Sequence, residues 1–321
     1  MYNKTDLKNK LESIHRKSYP AYKSLRGSYT FGDFVLSIDH VQGDPFAAPS
    51  SLHVELPLAK AGFPEKYFEG RHTKTALEDL ILRKFSRALD QYSFKAKGSG
   101  KSGLISTSRP GPEVMRRTAV EFTEKLLIVR FEVGFPANGR TINAQELEKI
   151  LLDFLPQIVK KCLYYQAWDK RLVQEGFELA ENQQKIREVL EERKLVAFCA
   201  NGSILPRKSG VSSQPLKDAV AFESPKSMEL AIDLPFGGSI FGMGIPEGVT
   251  LIIGGGYHGK STLLQALEQG VYNHVKGDGR EYVITRVNAL KLRAEDGRAG
   301  ALCSGRVSST GKNHQFFAKM S

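Results

Sequence analysis

The segment Gly254-Gly255-Gly256-Tyr257-His258-Gly259-Lys260-Ser261-Thr262 constrains this chain more than any other. It satisfies G-x-x-x-x-G-K-[ST] at every position, and its surroundings have the order such a loop requires. Ahead of it, Val249-Thr250-Leu251-Ile252-Ile253 is an apolar, largely β-branched run that predicts a buried strand; behind it, Leu263, Leu264, Leu267 and Val271 predict a helix with one apolar face. Glycines, having no Cβ, let successive backbone N–H groups curl around phosphates. The unpaired N–H groups at the start of the following helix add donors and the positive end of a dipole. In that arrangement Lys260 reaches the β- and γ-phosphates as a point charge, Ser261 places its hydroxyl on Mg²⁺ and Thr262 donates to the α-phosphate. Tyr257 and His258 sit inside the loop, among the expected cofactor-binding positions Gly254 to Thr262, and His258 is expected to point outward. The ligands this pattern predicts are ATP or ADP with Mg²⁺.

The rest of the composition narrows the setting. With 41% hydrophobic and 25% charged residues in 321, disorder throughout and fibrous structure are excluded. No apolar run approaches the roughly 20 residues of a membrane helix, and the N-terminus lacks the apolar block of a secretory signal, so no membrane contact and a cytoplasmic location are expected. Cys162, Cys199 and Cys303 lie far apart without zinc-site spacing, which predicts incidental buried thiols. The net charge of +11 is spread along the chain rather than gathered into an arm, so nucleic acid is permitted as a partner but not indicated by charge alone.

Along the chain, Leu7, Leu11 and Ile14 mark a helix over Thr5 to Lys17, and Leu77, Leu80, Ile81, Phe85 and Leu89 mark one over Thr73 to Leu89. Thr118 to Phe122 and Leu126 to Val133 read as a hairpin. A helix is expected from Ala144 to about Tyr165 with a kink or break at Pro156, then a polar helix with a solvated face over Asp169 to Arg193 and a strand over Leu195 to Cys199. Residues 1–200 thus read as one α+β unit. Residues 201–244, rich in Gly, Pro and Ser, read as a loop-rich transition with short strands at Ala219–Phe222 and Leu230–Asp233.

Other candidates are weaker. Gly98-Ser99-Gly100-Lys101-Ser102 resembles the end of a phosphate loop, but Lys95 stands where the first glycine belongs, so an exposed basic loop is expected, with a phosphate or RNA contact as the alternative. Phe34 to Asp39 reads as a structural strand and His40 as a hydrogen-bonded fold residue. Phe236 or Phe241 could offer an aromatic face to adenine. A P-loop hydrolase also needs a carboxylate from a second strand to hold its metal. The one good later strand, Glu281 to Val287, runs into Asn288 and supplies none. Past Arg298 the chain loses both apolar period and acids, so residues 299–321 are expected to be a disordered or non-native tail.

Longer motifs carry a family likeness. They include Ile38-Asp39-His40-Val41-Gln42-Gly43-Asp44-Pro45-Phe46, Gly100-Lys101-Ser102-Gly103-Leu104-Ile105, Val133-Gly134-Phe135-Pro136-Ala137 and Leu205-Pro206-Arg207-Lys208-Ser209-Gly210-Val211. After the phosphate loop come Gly270-Val271-Tyr272-Asn273-His274 and Gly277-Asp278-Gly279-Arg280-Glu281. Through these the chain resembles the ATPases of the ABC class, a family distinct from the transporters. The resemblance implies an α/β protein with α+β character: a family-specific N-terminal α+β domain, then an incomplete ABC-type P-loop domain beginning at residues 245–298, C-terminally truncated before the signature segment, Walker B acid and switch histidine. It implies ATP binding through Lys260, Ser261 and Thr262, with hydrolysis by this chain in doubt, and dimers with itself or with a full-length relative. Other classes of function stand beside it: an RNA- or DNA-binding module using basic loops around Lys95, Lys97, Lys101, Arg116 and Arg117, or a regulatory isoform that dimerises with relatives through the N-terminal domain.

Overall fold

The computed structural model describes residues 2–256, 258–293 and 315–319. The chain forms two compact units, residues 1–110 with 115–177 and residues 111–114 with 178–321. Apart from residues 111–114, the division falls within the helix Lys170–Glu192.

The first unit is built on a seven-stranded sheet. Its strands are β1 (Tyr2–Asn3), β2 (Gly27–Thr30), β3 (Val35–His40), β4 (Ser50–Pro57), β5 (Ile105–Ser106), β6 (Val120–Phe122) and β7 (Leu126–Val133). The spatial order is β1-β2-β3-β4-β7-β5, with β6 also on β7; only the β1–β2 pair is parallel. In β4 and β7, register pairs such as Val54 with Val129 turn one set of side chains inward, and burial alternates residue by residue. Helices α1 (Lys4–Ile14), α2 (Arg71–Asp90) and α3 (Leu155–Leu163) add their apolar stripes to the same core. Phe85 of α2 meets Phe131 edge to face, their centroids 5.9 Å apart. The capping box of Asn3 and Asp6 starts α1, whose expected face of Leu7, Leu11 and Ile14 is fully used.

The helical run continues through Pro156 without a break. The turn before it, Lys149–Phe154, is a wide π turn running straight into α3, with Pro156 in the first turn of α3, where its missing N–H matters least.

Helix α2 buries two acids on its inner face. Asp79, 3% exposed, is held by Arg83 at 2.5 Å and Arg117 at 2.6 Å. Glu78, 2% exposed, accepts the Phe122 N–H at 2.9 Å. Of the two arginines expected in a basic loop, Arg117 is committed to Asp79, while Arg116 is exposed beside Glu121 at 3.4 Å. His40 is exposed at the end of β3, while its neighbour Asp39 pairs with His53 at 2.7 Å.

The second unit holds a four-stranded sheet of β8 (Leu195–Ala200), β9 (Glu229–Leu234), β10 (Gly238–Pro246) and β11 (Val283–Thr285), in the antiparallel order β9-β10-β8-β11. Two sequence boundaries shift accordingly. Leu195–Ala200 belongs to this sheet rather than closing the first unit, and the loop-rich stretch contributes the β9–β10 hairpin, which Gly237 and Gly238 turn with φ of +89° and +85°. Ala219–Phe222 forms no strand. Cys162 and Cys199 are buried as expected, their thiols pushed up to about 11 and about 12 by burial; Cys303 lies outside the described residues. Of the tail expected to be disordered, residues 299–314, 320 and 321 also lie outside the described residues, while Gln315–Lys319 pairs antiparallel with Ala289–Arg293. Among the described residues no helix is long and apolar enough to cross a membrane.

Burial raises the pKa of Glu78 above its ordinary value, against the opposing Phe122 hydrogen bond and the charges of Lys74 and Arg116. The unfolded chain ionises this carboxyl more readily than the folded one, so stability falls as pH rises from the ordinary carboxylate pKa through the raised one. Glu78→Gln keeps an acceptor for Phe122 and removes the charge. Its melting temperature should exceed that of the parent at pH 8 and converge with it near pH 4; an equal gap at both values would show that the charge is not the cause.

Candidate functional site

The glycine loop leads into helix α5 (Lys260–Gln269), which starts where the sequence places it. Gly259 caps it with φ +79°, a left-handed backbone that glycine adopts without steric cost, and its carbonyl accepts the first helical bond, from Leu263 N–H at 2.9 Å. Among the described residues from Gly254 to Thr262, no backbone N–H donates to another backbone group. Gly254, Gly255, Gly256, Gly259 and Ser261 are exposed, and Lys260 and Thr262 are half-buried. The Lys260 ammonium folds back onto the loop, donating to the Gly254 carbonyl at 2.6 Å and to that of Gly255. His258 is exposed, with its ring against Gly255: a Cβ there would stand 2.9 Å from His258 Cε1. Tyr257 lies outside the described residues.

The strand expected before the loop is not formed. Val249, Leu251 and Ile253 are 102%, 79% and 78% exposed in an extended segment that pairs with no described strand. Burial of a strand requires neighbours along both edges, and the sheet order has no place filled beside this one.

The far end of α5 is fixed instead. Ala266 and Leu267 pack with Ala197, Cys199, Met243, Ile245 and Val283. Gly270 ends the helix so close to β11 that a Cβ would lie 2.8 Å from the Val283 carbonyl oxygen, while Thr285 N–H donates to the Gly270 carbonyl at 2.8 Å and Thr285 Oγ1 to that of Leu267 at 2.7 Å. Around this join lies a cluster that sequence reading missed. Helix α4, the linking helix Lys170–Glu192, is not simply a solvated face, for Asn182, Gln183, Ile186, Val189 and Leu190 are buried at helical spacing. From it Arg187 donates to the Thr285 carbonyl at 2.9 Å, the Val271 carbonyl at 3.1 Å and Asn273 Oδ1 at 2.7 Å. Burial brings its guanidinium down to about 10. Gln183 donates to the carbonyls of His274 and Glu281, both at 2.9 Å.

The later family motifs meet in the same place. Buried His274 faces Asp278 at 2.6 Å, and Asp278 takes Arg207 at 2.7 Å. Arg280 donates through Nε to the Leu205 carbonyl at 3.0 Å, its pKa brought down to about 10 by burial first and by neighbouring Arg207 second. The signal available in the sequence was the recurrence of these charged residues inside glycine-rich motifs, not any spacing that predicts their partners.

The residues present fit a nucleotide phosphate: free N–H donors, no Cβ at four loop positions and an ammonium already inside the loop. Mg²⁺, when bound, would neutralise phosphate charge, and Ser261 would be the residue to hold it. Among the described residues no group of His, Cys, Asp and Glu side chains forms a metal site of its own.

A loop of this kind on this arrangement defines a P-loop protein. Residues 169–302 match the P-loop domain of the ABC-class ATPases, and residues 4–166 match the domain described as ATPase of the ABC class N-terminal. The chain belongs to the ATPases of the ABC class, and its mixed α/β architecture is that of an N-terminal domain followed by a P-loop domain. It is also similar to an uncharacterized protein of Methanocaldococcus jannaschii, at 38% identity over 118 residues, covering 34% of this chain and 26% of that relative. The matched segment therefore spans about a quarter of the relative's length.

Arg187→Met removes a cation that satisfies several buried carbonyls at the end of α5. It should cost about 3 kcal/mol, as unpaired buried polar groups do, read as a shift in the urea midpoint. A shift within about 0.5 kcal/mol would show that water replaces the guanidinium freely.

Proposed function

We propose that this chain binds ATP with Mg²⁺ through Gly254–Thr262 and does not hydrolyse it on its own. The observation that carries the reading is the run of free backbone N–H donors around an ammonium at the start of α5. On binding, Lys260 exchanges two loop carbonyls for β- and γ-phosphate oxygens, Ser261 turns its hydroxyl to the metal and Thr262 donates to the α-phosphate. His258, whose ring lies against Gly255, takes no part in the chemistry. Of the two aromatic candidates for adenine, Phe241 is 53% exposed and Phe236 half-buried, so Phe241 offers the more accessible ring. The strand that follows the loop, β11, runs into Arg286, Val287 and Asn288, so no carboxylate stands at its end to hold a metal or orient water. Hydrolysis is then a property of an assembly in the cytoplasm, formed with a second copy or with a related chain.

Fluorescence titration with mant-ATP and Mg²⁺ should show saturable binding, weakened roughly ten-fold or more in Lys260→Ala, the loss of a charge-assisted contact of about 1.4 kcal/mol or above. Phosphate release should stay at background in both. Unchanged affinity in the variant would remove the loop from the site, and release that needs Mg²⁺ and disappears with Lys260→Ala would overturn the absence of turnover.

A further inference from the structure

Three family motifs of the first unit that nucleotide binding does not use converge on one loop. Residues 92–103 are fastened to the 42–50 segment by the bond from Lys101 N–H to the Pro45 carbonyl at 2.8 Å. They are fastened to the 134–139 segment by Ser99 N–H on the Ala137 carbonyl at 2.7 Å and Gly103 N–H on that of Gly134 at 3.0 Å. Ser102, 4% exposed, accepts Ala137 N–H at 3.0 Å. Gly100 takes φ +63° beside the Pro45 carbonyl and the Phe46 ring, where a side chain would collide. The sequence resemblance to a phosphate loop is thus resolved: most of these N–H groups are occupied, and the glycines serve close packing.

That rigid frame displays two aromatic rings that the core does not use. Phe46 is 64% and Phe94 62% exposed, whereas seven other phenylalanines, Phe34, Phe63, Phe85, Phe122, Phe131, Phe135 and Phe198, are buried. Phe94 also holds φ +61°, a left-handed backbone costing a residue with a Cβ about 1–2 kcal/mol, fixed by its N–H on the Gly103 carbonyl at 2.7 Å. Glycine or asparagine would suit that backbone better, so the fold alone does not favour a ring there. The same loop carries Lys95 and Lys97, both exposed, and half-buried Lys101. The Lys95 ammonium lies 4.6 Å from the Tyr92 ring centroid. The nearby acids are engaged: Asp44 accepts Phe46 N–H at 2.8 Å, and Glu146 accepts Lys97 N–H at 3.0 Å and pairs with Lys149 at 2.5 Å.

We propose that Phe46, Phe94, Lys95, Lys97 and Lys101 form a binding site for single-stranded nucleic acid, the rings stacking on unpaired bases and the ammonium groups meeting the phosphates. Exposed rings interleaved with lysines on a preformed loop suit this ligand, because every base offers a π face and only an unpaired strand exposes it. A duplex hides those faces, and an acidic peptide has no use for two stacking platforms. The site lies wholly in the first unit and goes beyond the nucleotide reading.

The test is fluorescence anisotropy of the full chain with a labelled single-stranded RNA of about 12 nucleotides, over a salt series. Binding should weaken with salt at a slope of roughly −2 in log K against log salt, about 0.7 for each of three neutralised phosphates. Phe46→Ala and Phe94→Asn should each weaken it about ten-fold. Phe94→Asn should do so with an unchanged or higher melting temperature, which separates the site from the fold. Lys97→Ala with Lys101→Ala should flatten the slope toward about −0.7, and Lys260→Ala should leave RNA binding intact, which separates this site from the nucleotide loop. Absence of binding at low salt, equal affinity for duplex, indifference to both phenylalanine variants, or binding to phosphatidylserine vesicles without RNA binding would each overturn the proposal.

Discussion

A guanidinium buried among carbonyl oxygens is an uncommon way to hold a charge, and the geometry around α5 turns on it. Arg187 has the Val271 and Thr285 carbonyls and the Asn273 side-chain Oδ1 within about 3 Å. The two carbonyls belong to the turn just past α5 and to the last residue of β11, where backbone acceptors are left without helical partners. Taking such a cation out of water costs several kcal/mol, and the contacts repay that only if the segment keeps one conformation. The charge therefore selects a single path for Gly270 to Asn273, and the close approach of Gly270 to β11 permits no other. With its C-terminal end set, α5 can point its N-terminus in only one direction, and the donors of the glycine loop inherit that direction.

The first unit reaches rigidity by a different route. Its sheet buries alternate residues of β4 and β7 against α2 and α3, and the polar groups at the sheet's end are satisfied by a few side chains. Gln42, 1% exposed, serves Phe135 N–H at 3.1 Å and Ser50 N–H at 3.3 Å, while Tyr19 and Tyr22 donate to the carbonyls of Phe135 and Pro136 at 2.9 and 2.7 Å. Burial raises the pKa of both tyrosines well above the ordinary value, so they remain donors across the physiological range. A surface loop tied down this way loses little further entropy on binding a ligand, which is the condition for exposed rings to act as platforms.

The parts of this arrangement that were legible in the sequence are those set by single residues or by local period. Gly259 and Lys260 announce their roles because few other residues could stand there, and Leu7, Leu11 and Ile14 announce a face because the helix repeats. What was not legible depends on partners distant in the chain. Nothing in the polar helix distinguishes Arg187 from its exposed charged neighbours until β11 and the 270–273 turn are brought beside it. Arg117 reads as a basic loop residue until Asp79 is found beneath it. Leu195 to Ala200 reads as the end of the first unit because strand character is local, whereas sheet membership is decided by Gly238–Pro246 and Val283–Thr285.

Val249 to Ile253 carries the same lesson furthest. Its composition is that of a strand buried on both faces, yet burial is a property of the neighbours a segment finds, and here those side chains stand in solvent. Burying a residue such as Val249, Leu251 or Ile253 contributes about 1.5–3 kcal/mol, so the apolar run adds little to the second unit in this state. The glycine loop is braced through α5 alone: Leu267, Gly270 and Arg187 hold it from behind, and no described strand holds it from the front. An anion at the loop would draw Lys260 and the free N–H groups together and so supply, from the ligand side, part of the order that a flanking sheet would otherwise impose.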